Sequence, residues 1–205
     1  MGGVHGAMTT TERDLLPVSE EGSSEHVPGG RDIWFFVLFE SLIFTSYFCV
    51  YLFNRTQHEQ AFLLGQSHLL LWLGVLDTVV LLSSSWAVAR CAQHARAGQF
   101  ERARREAFLT AGFGLVFLIL KIVEWVRLMH MGHTFTSSSF FQYYFFLTAI
   151  HCVHLLVGFV VLGVLVYQLS SDKRRDQVTV ETCATYWHSV DFFWVLIFAL
   201  LYVVR

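Results

Sequence analysis

Five long apolar stretches constrain the fold of this chain more than any other feature of its sequence. They lie at residues 32–53, 68–89, 107–128, 143–169 and 182–204. An α-helix rises about 1.5 Å per residue, so about 20 apolar residues cross a hydrocarbon core about 30 Å thick. Only 15% of the residues are charged, whereas soluble domains carry about 25%. The sequence therefore predicts an all-α integral membrane protein, a five-helix bundle in which each stretch is one span.

The segments between these stretches are too short to hold a second domain. We therefore expect residues 32–205 to form one membrane domain. Residues 1–31 are polar and rich in Gly, Ser, Thr and Glu, a composition that predicts a flexible N-terminal tail. The alternating short strands of a transmembrane barrel do not occur in the sequence.

The distribution of positive charge predicts the orientation of the bundle. If the spans alternate, ten Lys and Arg residues fall on one side of the membrane and three on the other. The ten are Arg13, Arg31, Arg90, Arg96, Arg102, Arg104, Arg105, Lys173, Arg174 and Arg175, and the three are Arg55, Arg127 and Arg205. Positive residues collect on the cytoplasmic side, so we expect the N-terminus inside and the C-terminus outside.

The arginine-rich segment 90–106 separates the second and third stretches. We expect it to extend both helices beyond the membrane or to lie on the inner surface. A solvated charged segment is the simpler interpretation of its arginines, and a docking site for a partner is the alternative.

Composition also excludes several classes of function. The formal net charge is −2, which gives no general basic surface for nucleic acid. The four cysteines include no C-x-x-C pair, so we expect neither a zinc site nor a disulfide framework.

Eight titratable side chains fall inside the predicted spans. They are Glu40, Asp77, Lys121, Glu124, His151, His154, His188 and Asp191. A charged group at mid-bilayer costs about 2.5–3.5 kcal/mol on insertion scales, so these groups should face the bundle interior, pair with one another or stay neutral. Their depths suggest an inner acidic layer that includes Glu40 and Asp191, and an outer layer of lysine, glutamate and histidine.

Sequence spacing predicts which of these groups meet. Lys121 and Glu124 are three residues apart and share a helix face, which predicts an internal ion pair. The same spacing joins His151 to His154 and His188 to Asp191, and an aspartate often holds a histidine in one tautomer. A structural role is the first interpretation of all these groups. Proton movement and contact with a partner subunit are the alternatives for the Lys121–Glu124 pair, and catalysis is the alternative for the histidines and Asp191.

Small and aromatic residues predict the contacts between helices and the edge of the membrane. Gly112 with Gly114, and Gly158 with Gly163, are suited to close helix contact. The aromatic run at 140–146 is typical of the belt at a membrane interface.

A haem or metal site would have to use the histidines. His151 or His154 could face His188 from another helix, but their depths differ by several ångströms or more, because His188 lies near the inner end of the last span. We therefore expect no metal ligand, no catalytic residue and no redox cofactor in this chain. An independent haem- or quinone-binding membrane enzyme is the alternative of a different class.

Four motifs occur in a recognisable order. Residues 39–44 read FESLIF, 121–125 read KIVEW, 146–154 read FLTAIHCVH and 186–194 read YWHSVDFFW. The chain resembles the subunit III family of the haem-copper oxidases, which has an intramembrane Glu, then Glu-Tyr, Thr-Gly-Phe-His-x-x-His and Tyr-Trp-His-x-x-Asp-x-x-Trp. It departs from the family at Ala149, Ile150 and Trp125. Lys121 stands where Gln is common and is similar to the NorE-type branch that accompanies nitric oxide reductases.

The resemblance implies a non-catalytic subunit of a respiratory complex in the bacterial plasma membrane. Such a subunit packs on catalytic subunit I, which holds the haem and copper, binds phospholipid and supports proton uptake. It implies that Glu40 lies in a lipid-facing or proton-linked cleft, and we group Asp77 with it. The expected polar framework of the bundle consists of Lys121, Glu124, His151, His154, His188 and Asp191. A NorE-type accessory protein of nitric oxide reductase is the alternative within the family.

Overall fold

The apolar stretches form helices in the computed structural model, which describes residues 31–170 and 176–204. All but the last residue of the predicted tail lies outside these ranges, as do Lys173, Arg174, Arg175 and Arg205. The helices are α1 (Arg31–Gln57), α2 (Glu59–Ser67), α3 (Leu71–Arg96), α4 (Phe100–His130), α5 (Ser139–Leu169) and α6 (Gln177–Phe198), and α6 continues into a π-helical segment, Ala199–Val203.

Five of these helices are long and apolar enough to cross a membrane, and the described ranges contain no strand. The five-helix, all-α prediction is therefore confirmed for this part of the chain. Its boundaries were less accurate, because polar residues at the ends of α3 and α4 continue the helices past the apolar runs. The second span begins at Leu71 rather than at residue 68, and the sequence did not predict α2, which has nine residues.

The arginine-rich segment follows the prediction of helix extension. Helix α3 continues to Arg96 and α4 begins at Phe100. Two of the arginines are paired across helices rather than simply solvated. Arg90 lies 3.3 Å from Glu106, and Arg96 lies 3.0 Å from Glu181 on α6. These ion pairs join α3 to α4 and α6 at the end of the bundle where α3 ends and α4 begins.

Helix α6 lies at the centre and α1 at the edge. In the most apolar segment of α6, 56% of the residues are buried inside the protein. The corresponding share in α1 is 6%. Trp187 and Trp194 on α6 are fully buried. The Nε1–H of Trp187 donates to Ser84 Oγ at 2.8 Å, and that of Trp194 donates to Thr78 Oγ1 at 3.1 Å. Both indoles are therefore held against α3 by hydrogen bonds as well as by packing.

Only one glycine of each predicted pair lies at a helix contact. A Cβ on Gly114 would lie 3.1 Å from Trp187, and one on Gly158 would lie 2.9 Å from the same ring. A Cβ on Gly112 or Gly163 would have no atom of another described element within 4 Å. The prediction that all four mediate close contact is therefore wrong, because Gly112 and Gly163 do not face a neighbouring helix among the described residues.

Side chains from the first two helices satisfy backbone carbonyls at the C-terminal end of the last span. Gln66 Nε2 donates to the carbonyls of Leu201 and Val204 at 2.9 and 2.8 Å. Arg55 also donates to the Val204 carbonyl. Carbonyl groups at a helix C-terminus have no partner within the helix, so these bonds tie α1 and α2 to the end of the central helix.

Candidate functional site

A fully buried ionic cluster lies between α3, α4, α5 and the π-helical segment. Asp77, Lys121 and Glu124 are each 0% exposed. Lys121 Nζ lies 2.7 Å from Glu124 Oε2 and 2.9 Å from Asp77 Oδ2. The ion pair that the three-residue spacing predicts is therefore present, and a carboxyl group from α3 joins it.

Two tyrosines complete this cluster. Tyr144 and Tyr202 each donate to Glu124 Oε2 at 2.7 Å, and Tyr202 accepts from Lys121 Nζ at 3.2 Å. The Trp194 ring lies 4.5 Å from the same nitrogen, within the range of a cation–π contact. The buried ionic cluster, defined as Asp77, Lys121, Glu124, Tyr144 and Tyr202, thus unites groups from four of the five spans.

The sequence did not reveal the tyrosines of the cluster. Tyr144 belongs to the aromatic run that was predicted to form an interface belt, but it is 0% exposed. Tyr202 stands 81 residues from Lys121, and no local pattern connects the two. Phe140, Tyr144 and Thr148 are four residues apart and share one helix face, and the structure buries all three. This spacing is the sequence signal that could have placed Tyr144 inside.

His151 lies beside this cluster without a hydrogen bond. Its ring centre is 5.5 Å from that of Phe117 and 5.2 Å from that of Trp194, and the residue is 0% exposed. Neither ring nitrogen has a hydrogen-bond partner among the described residues. His151 is therefore enclosed by aromatic rings and does not share a partner with His154.

His154 joins Glu40 across the contact between α1 and α5. Its Nε2 lies 3.0 Å from Glu40 Oε2, and its Nδ1 lies 2.9 Å from the carbonyl oxygen of Ile150. A carbonyl only accepts, so Nδ1 carries a proton. Nε2 and the carboxyl group then share one further proton, either as imidazolium with carboxylate or as neutral imidazole with carboxylic acid. Both side chains are partly exposed, at 21% and 15%.

The predicted layers and one predicted pair are wrong. Glu40 reaches a histidine and Asp77 reaches a lysine, so acidic and basic groups are not separated by depth. His188 Nδ1 lies 2.6 Å from Ser85 Oγ rather than bonding to Asp191. The carboxyl oxygens of Asp191 form no well-directed hydrogen bond with a described residue, although Ser85 is a near neighbour.

The three histidines do not converge on a common point. His151 contacts aromatic rings, His154 bonds to Glu40, and His188 bonds to Ser85. Across residues 31–170 and 176–204, no group of three His, Cys, Asp or Glu side chains is placed to hold a metal ion.

A cavity of about 520 Å³ opens between α1, α3 and α6. Apolar side chains form most of its wall, among them Trp34 and Phe192, and its polar members include Arg96, Glu181 and His188. Glu40 is one residue from Ser41, which lines the cavity, but its own carboxyl group turns to His154. The cavity and the Glu40–His154 pair therefore use neighbouring residues of α1, but neither Glu40 nor His154 lines the cavity.

Comparison with known proteins gives a consistent result. A family model described as cytochrome c oxidase subunit III matches residues 29–204. Among the similar proteins are two named cytochrome c oxidase subunit 3 that match this chain along most of their length. The one from Thermostichus vulcanus is 28% identical over 199 residues, covering 95% of this chain and 96% of the relative. The one from Bacillus sp. PS3 is 28% identical over 175 residues, covering 82% of each.

Proposed function

Because the chain belongs to the cytochrome c oxidase subunit III family, we propose that it docks on the haem- and copper-bearing subunit I of a respiratory oxidase. Membership makes it a non-catalytic subunit of a haem-copper oxidase complex, associated with other oxidase subunits. The observation that supports this most strongly is the family match from residue 29 to residue 204. The buried ionic cluster agrees with it, since its charged groups bind one another and join four spans.

Purification in mild detergent tests the docking directly. An affinity-tagged chain expressed in its own membranes should bring down a larger haem-bearing subunit in a fixed ratio. A chain that remains alone and monodisperse under every mild condition would contradict the proposal.

The cavity between α1, α3 and α6 is suited to a phospholipid. Its wall accommodates acyl chains, and Arg96 supplies a cation for a phosphate group, with its charge partly balanced by Glu181. Ala89→Phe should fill the cavity and reduce the phospholipid retained per chain, measured by mass spectrometry of the purified protein. Leu115→Phe on the exposed face of α4 is the matched control. Equal lipid retention by both variants would exclude this cavity as the site.

The Glu40–His154 pair is the proposed proton-linked group. It holds one proton between two partly exposed side chains, so it can exchange that proton without unfolding the bundle. Glu40→Gln should assemble normally in the oxidase, slow proton uptake and shorten the period of turnover before activity is lost. Unchanged turnover and durability in a fully assembled Glu40→Gln complex would remove the proton-linked role.

The orientation and location are also proposals. Arg90 and Arg96 lie near the end of α3 and three further arginines near the start of α4, which supports an inner position for that end. The N-terminus is then inside and the C-terminus outside the bacterial plasma membrane. Reporter fusions at the two termini should give opposite results, and matching results would overturn this topology.

One residue favours a second candidate within the family. Lys121 is the cation of the buried ionic cluster, and a lysine at this position is similar to the NorE-type branch. A chain of that branch would accompany nitric oxide reductase. Turnover of the co-purified complex with oxygen and with nitric oxide distinguishes the two assignments.

A further inference from the structure

The charges of the buried ionic cluster do not balance if every group takes its usual state at neutral pH. Asp77 and Glu124 would contribute two negative charges and Lys121 one positive charge, and all three are 0% exposed. An unpaired charge inside a bundle is strongly disfavoured, and a buried group usually neutralises instead. One proton beyond the usual complement therefore has to reside in this cluster.

The surrounding titratable groups do not supply the missing charge. Those that face Asp77 or the cation beside it are Lys121 and Glu124 on α4, Tyr144, His151 and Cys152 on α5, and Tyr202 at the end of α6. The tyrosines and the thiol are uncharged at neutral pH. Within residues 31–170 and 176–204, His151 has no acceptor for either ring nitrogen, and it lies near the Lys121 ammonium. An imidazolium there would have no stabilising partner in this part of the chain.

Hydrogen-bond donors favour Glu124 as the anion. Its Oε2 accepts from Lys121, Tyr144 and Tyr202, each at 2.7 Å. The ammonium lies 2.9 Å from Asp77 Oδ2 without the direction of a hydrogen bond, and no described residue donates to Oδ1. Because donors stabilise a carboxylate, the negative charge belongs on Glu124 and the proton on Asp77.

We infer that the buried ionic cluster is a proton-binding site, in which Asp77 is held as a neutral carboxylic acid beside the Lys121–Glu124 ion pair. The proton comes from water when the bundle forms and sits on Oδ1, which leaves Oδ2 facing the ammonium. This inference concerns the chain alone and does not depend on the partner proposed above.

Infrared spectroscopy of the full-length chain in mild detergent counts the protonated carboxyl groups. The wild type minus Asp77→Asn difference spectrum should contain a carboxylic-acid C=O band that shifts in D₂O, because any band from the buried Asp191 is common to both and cancels. The same band should be lost in Glu124→Gln, because Asp77 then becomes the sole counter-ion of Lys121 and ionises. Glu101→Gln, which changes an exposed carboxylate on α4, should leave the band in place.

Stability provides a second, independent measurement. The amide of Asn has nearly the shape of a neutral carboxylic acid, so Asp77→Asn should unfold within a few degrees of the wild type. If the wild type and Asp77→Asn show identical carboxylic-acid bands, the inference is wrong. Failure of Asp77→Asn to fold would overturn it as well, because only an ionised Asp77 would be indispensable to Lys121.

Discussion

Three donors converge on one oxygen of Glu124, and this concentration makes it the residue on which the cluster depends most. Lys121, Tyr144 and Tyr202 come from α4, α5 and the end of α6. The same residue type occurs on α4 in an exposed ion pair, Glu101 with Arg104, at 2.8 Å. The two glutamates therefore allow the effect of burial to be measured on a single helix.

Glu124→Gln should lower the stability of the bundle by about 1.5–3 kcal/mol, the usual worth of hydrogen bonds to a charged group. A Gln oxygen still accepts from the tyrosines, and Asp77 still faces Lys121, which limits the loss. Thermal unfolding in detergent and the yield of assembled complex measure the effect. Glu101→Gln should change stability by less than about 1 kcal/mol, because exposed ion pairs contribute little. Equal effects of the two substitutions would show that the buried ion pair has no structural role.

Spacing along one helix predicted some of these contacts and could not predict others. Lys121 and Glu124 are neighbours because three residues separate them on α4. The partners of His188 and Glu40 are 103 and 114 residues away, and the rotation of each helix about its axis decides such contacts. Single-helix spacing does not specify that rotation, so the predicted His188–Asp191 pair was wrong.

At the scale of helices, α5 and α6 come into close contact at a glycine. Gly158 lets the Trp187 ring lie against the backbone of α5, where a Cβ would come within 2.9 Å of Cζ3. Gly163 on the same helix faces open space. Both glycines are small residues suited to close helix contact, but only Gly158 lies against a tryptophan of α6.

Gly158→Ala should destabilise the bundle by about 1–3 kcal/mol, because the fully buried indole has no free space to move into. Gly163→Ala should be neutral or stabilising by up to about 1 kcal/mol, since alanine favours helix. Unfolding temperatures of the two variants give the comparison. If Gly158→Ala is as stable as Gly163→Ala, the close approach of α5 and α6 is incorrect.

The start of α6 supplies a pH-dependent element. Asp176 accepts from the Thr179 hydroxyl at 2.7 Å and from the backbone N–H groups of Val178 and Thr179 at 3.2 Å. The hydrogen bond from Thr179 is the main cause that lowers the pKa of this carboxyl group below its usual value. A lowered pKa in the folded state means that the cap stabilises the helix above the ordinary aspartate range and loses this contribution as the pH falls through the lowered value.

Asp176→Ala should lower the free energy of unfolding by about 1 kcal/mol at neutral pH, the usual value for loss of an N-cap. The difference from the wild type should shrink as the pH falls below about 4, the ordinary pKa of aspartate. Asp176→Asn retains a capping oxygen and should lose the pH dependence alone. If the wild type and Asp176→Ala differ in free energy of unfolding by the same amount at neutral and at low pH, this account of the cap is wrong.

At the scale of the whole molecule, apolar length was sufficient to predict the number and type of the spans. It failed at α2, whose nine residues are too few to cross a membrane and carry no strong apolar run. That helix matters because Gln66 near its end bonds to the carbonyls of Leu201 and Val204. The assembly of the bundle therefore depends on contacts between distant segments, whereas its span count depends on composition alone.

The account rests on the claim that the buried polar groups stabilise a bundle that docks on a redox subunit and do not hold a redox centre. The most direct test is the reduced-minus-oxidised absorption spectrum of this chain after separation from its co-purified partners. The account predicts that the haem bands stay with the larger subunit and that the separated chain is colourless. Stoichiometric haem on the separated chain, lost on substitution of His151, His154 or His188, would contradict it.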